Sequence, residues 1–150
     1  MSVIKLKNAS IKDGVLIYNW FNDKDNIRYK IKTKNKISLR DHLVWLKRFN
    51  KKKLGIIWII IYENKKIGNI RLTQLKYKTY EVDIFLIKKY RGKSFATESL
   101  LKVENKLDKR SVIYSYIKKN NFRSLNFFLK NRYNLYSSNK TIWFLKKQLI

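Results

Sequence analysis

The spacing of apolar positions changes several times along the chain, and each change marks an element. Residues 2–7 alternate weakly, as a strand does. Ser10 suits a helix cap, and Ile11, Val15, Ile17, Tyr18 and Phe21 then recur near helical spacing until Asn22 and Asp23 stop them. Ser38 with Asp41 resembles a capping box, and Leu39, Leu43, Trp45, Leu46 and Phe49 give the next helix a broad apolar face. Lys51, Lys52 and Lys53 close it at the negative end of the helix dipole. Residues 56–62, rich in isoleucine, predict a buried strand that turns through residues 63–66 into a second strand over 67–75. Over residues 80–87, Tyr80, Val82, Ile84 and Leu86 share one strand face and Glu81, Asp83 and Phe85 the other. A helix over 93–107, a strand over 112–117, a helix over 121–130 and a strand over 141–145 follow. The order β-α-α-β-β-β-α-β-α-β predicts an α/β fold, one mixed sheet with helices packed against it, in a single domain over 1–150.

Composition narrows the chemistry. The chain has 150 residues, 45% of them hydrophobic, enough for a real core, with no cysteine, no proline and one histidine. Disulfides, thiolate nucleophiles and multi-histidine metal sites are therefore excluded. The opening MSVIKLKNAS lacks the order of a signal peptide, and no apolar run is long enough for a transmembrane helix, which predicts a cytoplasmic protein with no membrane partner. The net charge of +26 raises the question of nucleic acid. The cations are spread along the chain and their longest run is Lys51 to Lys53, so the charge reads as a basic solvated surface more than a binding stripe. Anionic small ligands are favoured either way, and a basic nucleic-acid binding module stays open.

In KKYRGKSFATESL, residues 88–100, a strand ends, a glycine turns the chain between two cations, and small residues open a helix. Unpaired amides and the positive dipole end make such a junction a phosphate cradle, and glycine lets the backbone approach an anion. The stretch resembles the pyrophosphate loop of the GCN5-related N-acetyltransferases (GNAT), Gln/Arg-x-x-Gly-x-Gly/Ala. Lys89 stands at the first place, Gly92 matches, and Ser94 replaces the second glycine. Asn121 and Ser124 match the family's Asn-x-x-Ser, while Arg132 and Tyr133 stand where it has Gly-Phe. The resemblance, which covers essentially the whole chain, implies a mostly antiparallel sheet flanked by about four helices and acetyl-CoA as cosubstrate, with no metal. It places the diphosphate on Arg91, Gly92, Lys93, Ser94, Phe95, Ala96 and Thr97, the pantetheine on the strand edge at Phe85 and Leu86, and Asn121 on the cofactor arm. Glu81 falls where members often carry a glutamate base, with Asp83 as the competing carboxylate. Phe128 stands where many members have a tyrosine acid, which leaves Tyr133, Tyr136 or solvent to return a proton.

YNWFNDKDNIRYKI and ISLRDHLVWL resemble members that acetylate nucleotide-linked amino sugars, of the pseudaminic acid pathway type. That resemblance implies an acceptor site at Trp20, Asn22, Arg28, His42 and Trp45, where tryptophans stack on a flat base or sugar face. Acetylation of a protein N-terminus, for example ribosomal, is the alternative acyl acceptor, and a catalytically weak CoA-binding member stays open. The oligomeric state is open as well, a homodimer being one option.

Overall fold

The computed structural model describes residues 3–31 and 36–150. Among these, the strands are β1 (Ile4–Asn8), β2 (Gly55–Tyr62), β3 (Lys65–Lys76), β4 (Thr79–Leu86), β5 (Val112–Lys118), β6 (Asn134–Ser138) and β7 (Ile142–Gln148). The helices are α1 (Gly14–Phe21), α2 (Lys24–Arg28), α3 (Leu39–Lys51), α4 (Phe95–Asn105) and α5 (Phe122–Lys130). The strands form one sheet in the order β1-β2-β3-β4-β5-β7-β6. Every neighbouring pair is antiparallel except β4 and β5, which run parallel.

The period-two pattern of the strands divides the core between two layers. On one face Ile60, Ile70, Val82, Leu86, Ile113 and Leu145 pack with Leu100 and Val103 of α4 and Phe128 of α5. On the other, Ile57, Ile59 and Phe85 pack with Ile17 and Trp20 of α1 and Leu46 and Phe49 of α3. β2 feeds both layers, which is why its sequence is a continuous apolar run rather than an alternation. Ile59, Ile60, Leu46 and Leu100 have no exposed surface, so each contributes about 1.5–3 kcal/mol of transfer free energy. Among the described residues no helix is long and apolar enough to cross a membrane.

Four local features depart from the sequence reading, and one expected position is not described. Ser2, the expected start of the first strand, lies outside the described residues. The reciprocal capping box forms at Ser10 and Asp13, with Asp13 Oδ2 accepting from the Ser10 amide at 2.9 Å. At the second site only half of the box is made, the Ser38 hydroxyl accepting from the Asp41 amide at 3.1 Å. Two elements are additional: α2, capped by Asp23, and β6, whose five residues are all exposed.

Candidate active site

The parallel ladder between β4 and β5 has only three residue pairs, Thr79 with Val112, Tyr80 with Ile113 and Glu81 with Tyr114. β4 then continues to Leu86 and β5 to Lys118 with no ladder between them, so the two strands fork. The fork opens a continuous cleft of about 970 Å³, which runs from the turn after β4 to the space between α3, β3 and β4. Strand alternation decides which main-chain groups face it. The Ile87 amide donates to the Ile67 carbonyl of the β3 side at 2.8 Å, so Phe85 and Asp83, in the same phase, also point their main chains at β3. Ile84 and Leu86 are left facing the cleft. Of the two strand residues expected at the pantetheine, Leu86 thus presents its main chain and Phe85 does not; the Phe85 ring turns instead to the α1 layer, 6.0 Å from Trp20.

At the loop end a short 3-10 turn, Lys88–Tyr90, leads into Gly92 and the start of α4. Among the described residues, no amide from Gly92 to Thr97 donates to a protein acceptor, which leaves six consecutive N–H groups at a helix N-terminus. Gly92 has φ +75° and Ser94 φ 67°. A Cβ on Gly92 would meet nothing within 4 Å, whereas at Gly14, Gly55 and Gly68 it would run into Leu43, the Leu72 carbonyl and the Phe85 carbonyl. The chain accepts ordinary residues at positive φ elsewhere, as at Lys53, Lys78 and Arg132. Backbone conformation alone therefore does not account for Gly92, and the empty space in front of it is a cradle that a side chain would fill. The unpaired amides and this space fit a diphosphate. Ser94, at the Gly/Ala place of the resembling pattern, stands in the left-handed region at a cost of about 1–2 kcal/mol, and its hydroxyl makes no cap bond.

Arg91 does not reach out from this loop. Its Nε donates to the Leu86 carbonyl at 2.9 Å, and its guanidinium lies 3.5 Å from Asp25 of α2 and over the Phe85 ring at 5.6 Å. Burial pulls its pKa down, helped by Arg123 and opposed by Asp25. Asn121 caps α5 by accepting from the Ser124 amide at 3.2 Å, which gives the Asn-x-x-Ser spacing a local structural reason.

At the far end, β3 and β4 bring Arg71, Thr73, Glu81 and Asp83 to one sheet face, opposite Lys30, His42 and Trp45. Arg71 donates to Asp83 at 3.1 Å and lies over the Trp45 ring at 5.4 Å. His42 is fully buried among Tyr18, Phe21 and Trp45, with ring centroids 5.6 to 5.8 Å away, and neither ring nitrogen has a hydrogen bond of acceptable geometry. Burial lowers its pKa against a smaller upward pull from the Gly14 backbone, which keeps the imidazole neutral at pH 7. Tyr116 of β5 also lines the cleft, and burial raises its phenol to about 12.

The cleft therefore gathers Glu81, Phe85, Leu86, Arg91, Gly92, Ser94, Phe95, Ala96, Thr97 and Asn121, together with His42 and Trp45. Lys93 is exposed and stands outside the lining. Trp20 lies in the core layer under α1 and α3. Asn22 is turned to the backbone of Tyr18 and Ile37, and Arg28 pairs on the surface with Asp25 at 3.7 Å. Trp20, Asn22 and Arg28 thus stand outside the lining of the cleft. Of the hydroxyls considered for proton return, Tyr133 is buried and donates to Glu104 at 2.9 Å, and neither it nor Tyr136 lines the cleft. Lys30, Arg71 and Tyr116 were missed. Arg71 and Tyr116 sit on strands in the same phase as Asp83 and Tyr114, a signal that only the pairing register reveals.

Solved structures share this architecture. Spermidine N-acetyltransferase from Vibrio cholerae, in complex with CoA and spermine, superposes with a TM-score of 0.85 at 14% identity, over 99% of this chain and 97% of that one. RimL, a ribosomal L7/L12 alpha-N-protein acetyltransferase in complex with coenzyme A, gives 0.83 at 10% identity over 99% and 96%. The Campylobacter jejuni N-acetyltransferase PseH gives 0.73 at 18% identity over 98% and 99%. Among curated proteins none matches the sequence. The family model described as acetyltransferase (GNAT) domain matches residues 4–134, from the first strand to the start of β6, and spans the forked strands, the phosphate loop and both helical layers. The chain belongs to the GNAT acetyltransferases, enzymes that use acetyl-CoA as acyl donor.

Proposed function

We propose that this enzyme acetylates the primary amine of a nucleotide-linked amino sugar. The observation that carries the reading is the single cleft that joins the phosphate loop to an aromatic, hydrogen-bonding pocket under Trp45 and His42. A flat ring stacks on such a wall while polar groups fix its orientation. The likeness of the N-terminal half to amino-sugar acetyltransferases and the shared fold with PseH support it.

Acetyl-CoA supplies an activated acetyl thioester. The amides from Gly92 to Thr97 would hold its diphosphate, and the main chains of Ile84 and Leu86 would orient the arm along the fork. An ammonium is not a nucleophile, so its proton must leave first. Glu81, at the last rung before the fork, would take that proton directly or through water. Tyr116 remains protonated at working pH and supplies a hydroxyl on the cleft wall that Phe128 cannot.

The test compares acetyl transfer from acetyl-CoA to a UDP-linked amino sugar, a peptide with a free N-terminus, and spermidine. The proposal expects kcat/KM for the sugar nucleotide to exceed the others by on the order of 10³-fold, beyond what one extra apolar contact supplies. Preference for the peptide would replace it with the protein N-terminal reading.

A further inference from the structure

The acceptor end holds more hydrogen-bond donors than it can use. Lys30 lines the cleft beside Asp83 and Arg71, with Nζ 3.2 Å from the centre of the Phe21 ring. Among the described residues no carboxylate lies within ion-pair distance of it. Desolvation, the largest influence on it, lowers its pKa to about 8, with Asp83 pulling up and Arg71 down. Arg71 spends one terminal nitrogen on Asp83, while its Nε is buried without an acceptor. His42, fully buried, adds a ring with no hydrogen bond at either nitrogen. The carboxylates at this end are Asp83, held by Arg71, Glu81 near the fork, and Asp41, which is exposed at the start of α3.

A half-buried cation held by an aromatic face with no carboxylate in ion-pair distance, and a buried guanidinium N–H without an acceptor, are each costly. Both are relieved by the same thing, an anionic oxygen between them. A polyamine brings only more donors and more positive charge.

We propose that Lys30 and Arg71 form an anion receptor, so that the amine acetylated by this enzyme belongs to a molecule carrying a carboxylate or phosphoryl group within reach of the pair. This rests on the acetyltransferase reading of the cleft and deepens it, because it names the group that selects the acceptor. The pair of donors matches the two oxygens that either anion presents.

The experiment measures acetyl transfer to four amines of similar reach: glucosamine 6-phosphate, muramic acid, glucosamine and spermidine. The phosphate and the carboxylate arms separate the two sources of anionic oxygen; glucosamine is the neutral control and spermidine the cationic one. One or both anionic amines are expected to exceed glucosamine in kcat/KM by on the order of 10- to 100-fold, the worth of one charge-assisted pair. In Lys30→Met that preference collapses toward one through KM rather than kcat, and Lys30→Arg restores it. Equal use of glucosamine, preference for spermidine, or an unchanged preference in Lys30→Met overturns the proposal. If none of the four is acetylated, calorimetric titration of the CoA-loaded protein with glucosamine 6-phosphate and with muramic acid decides. Binding that is lost in Lys30→Met upholds the receptor and leaves the amino-sugar reading to the UDP-linked substrate, and no binding of either to the parent overturns the receptor.

Discussion

The two ends of the cleft are built in different ways. The loop end comes from one contiguous stretch, from Ile87 to Thr97, and offers main-chain groups whose direction is set by a turn and a helix start. The acceptor end is assembled from side chains on several elements, with Phe21 on α1, His42 and Trp45 on α3, Arg71 on β3 and Glu81 and Asp83 on β4. A site made of backbone tolerates changes of side chain around it, as the serine at position 94 shows, but not a change in the path of the chain. A site made of side chains answers to single substitutions and leaves the loop end untouched. The general donor and the particular acceptor are thus handled by different kinds of structure.

Substitutions confined to one end test this division. The largest effect is expected from Glu81→Gln, which keeps the shape of the β4 rung and removes the base. Turnover should fall by on the order of 10²- to 10³-fold, with the calorimetric affinity for acetyl-CoA within about twofold of the parent. Loss of acetyl-CoA affinity instead would make Glu81 part of the loop end. Next comes Gly92→Val, which places a β-branched residue at φ +75° and fills the cradle. Its dissociation constant for acetyl-CoA should rise by on the order of 30- to 100-fold, as the loss of two or three diphosphate hydrogen bonds requires. An acceptor KM that rises as much would show that the ends are not separable.

The smallest effect concerns stability. Lys30 has its pKa lowered to about 8 from 10.5 in the fold, so between those values the unfolded chain binds more protons than the folded one. Its contribution to stability therefore rises with pH from about 8 to 10.5, and below that range the buried charge costs stability in full. Lys30→Met should raise the melting temperature of the ligand-free enzyme at pH 7 by a few degrees, on the order of 1 kcal/mol at a few degrees per kcal/mol. The difference from the parent should shrink as pH approaches 10.5. A variant that melts no higher at pH 7, with a gap independent of pH, would mean that Lys30 is well solvated in the free enzyme.

The same division decides what could be read from the sequence. The turn into α4 was legible because its elements are neighbours in the chain: a strand end, a glycine and a run of small residues. Trp20 and Trp45 looked equivalent, since each sits in a helical apolar pattern. Trp20 faces the sheet in line with Ile17, whereas Trp45 lies at the edge of its helix beside the cleft, and hydrophobicity does not separate the two. α2 was missed because Asp23, which looks like a terminator, also accepts from the Asp25 and Asn26 amides and so starts a second helix. β6 was missed because Asn134–Ser138 lies wholly exposed, with no alternation imposed by a core. Phe85 and Leu86 were both placed at the pantetheine by the resemblance, while the phase of the β3 ladder turns the Leu86 main chain to the cleft and that of Phe85 to β3.

The fork has a mechanical side. β5, β6 and β7 are joined to the rest of the sheet by three rungs of parallel ladder, against seven in the ladder between β5 and β7. The sheet is joined like two plates riveted at one corner, with few main-chain hydrogen bonds across the seam. A cosubstrate lying in the fork acts as a splint across both plates. On that geometry, filling the cleft would stiffen the sheet and emptying it would slacken it.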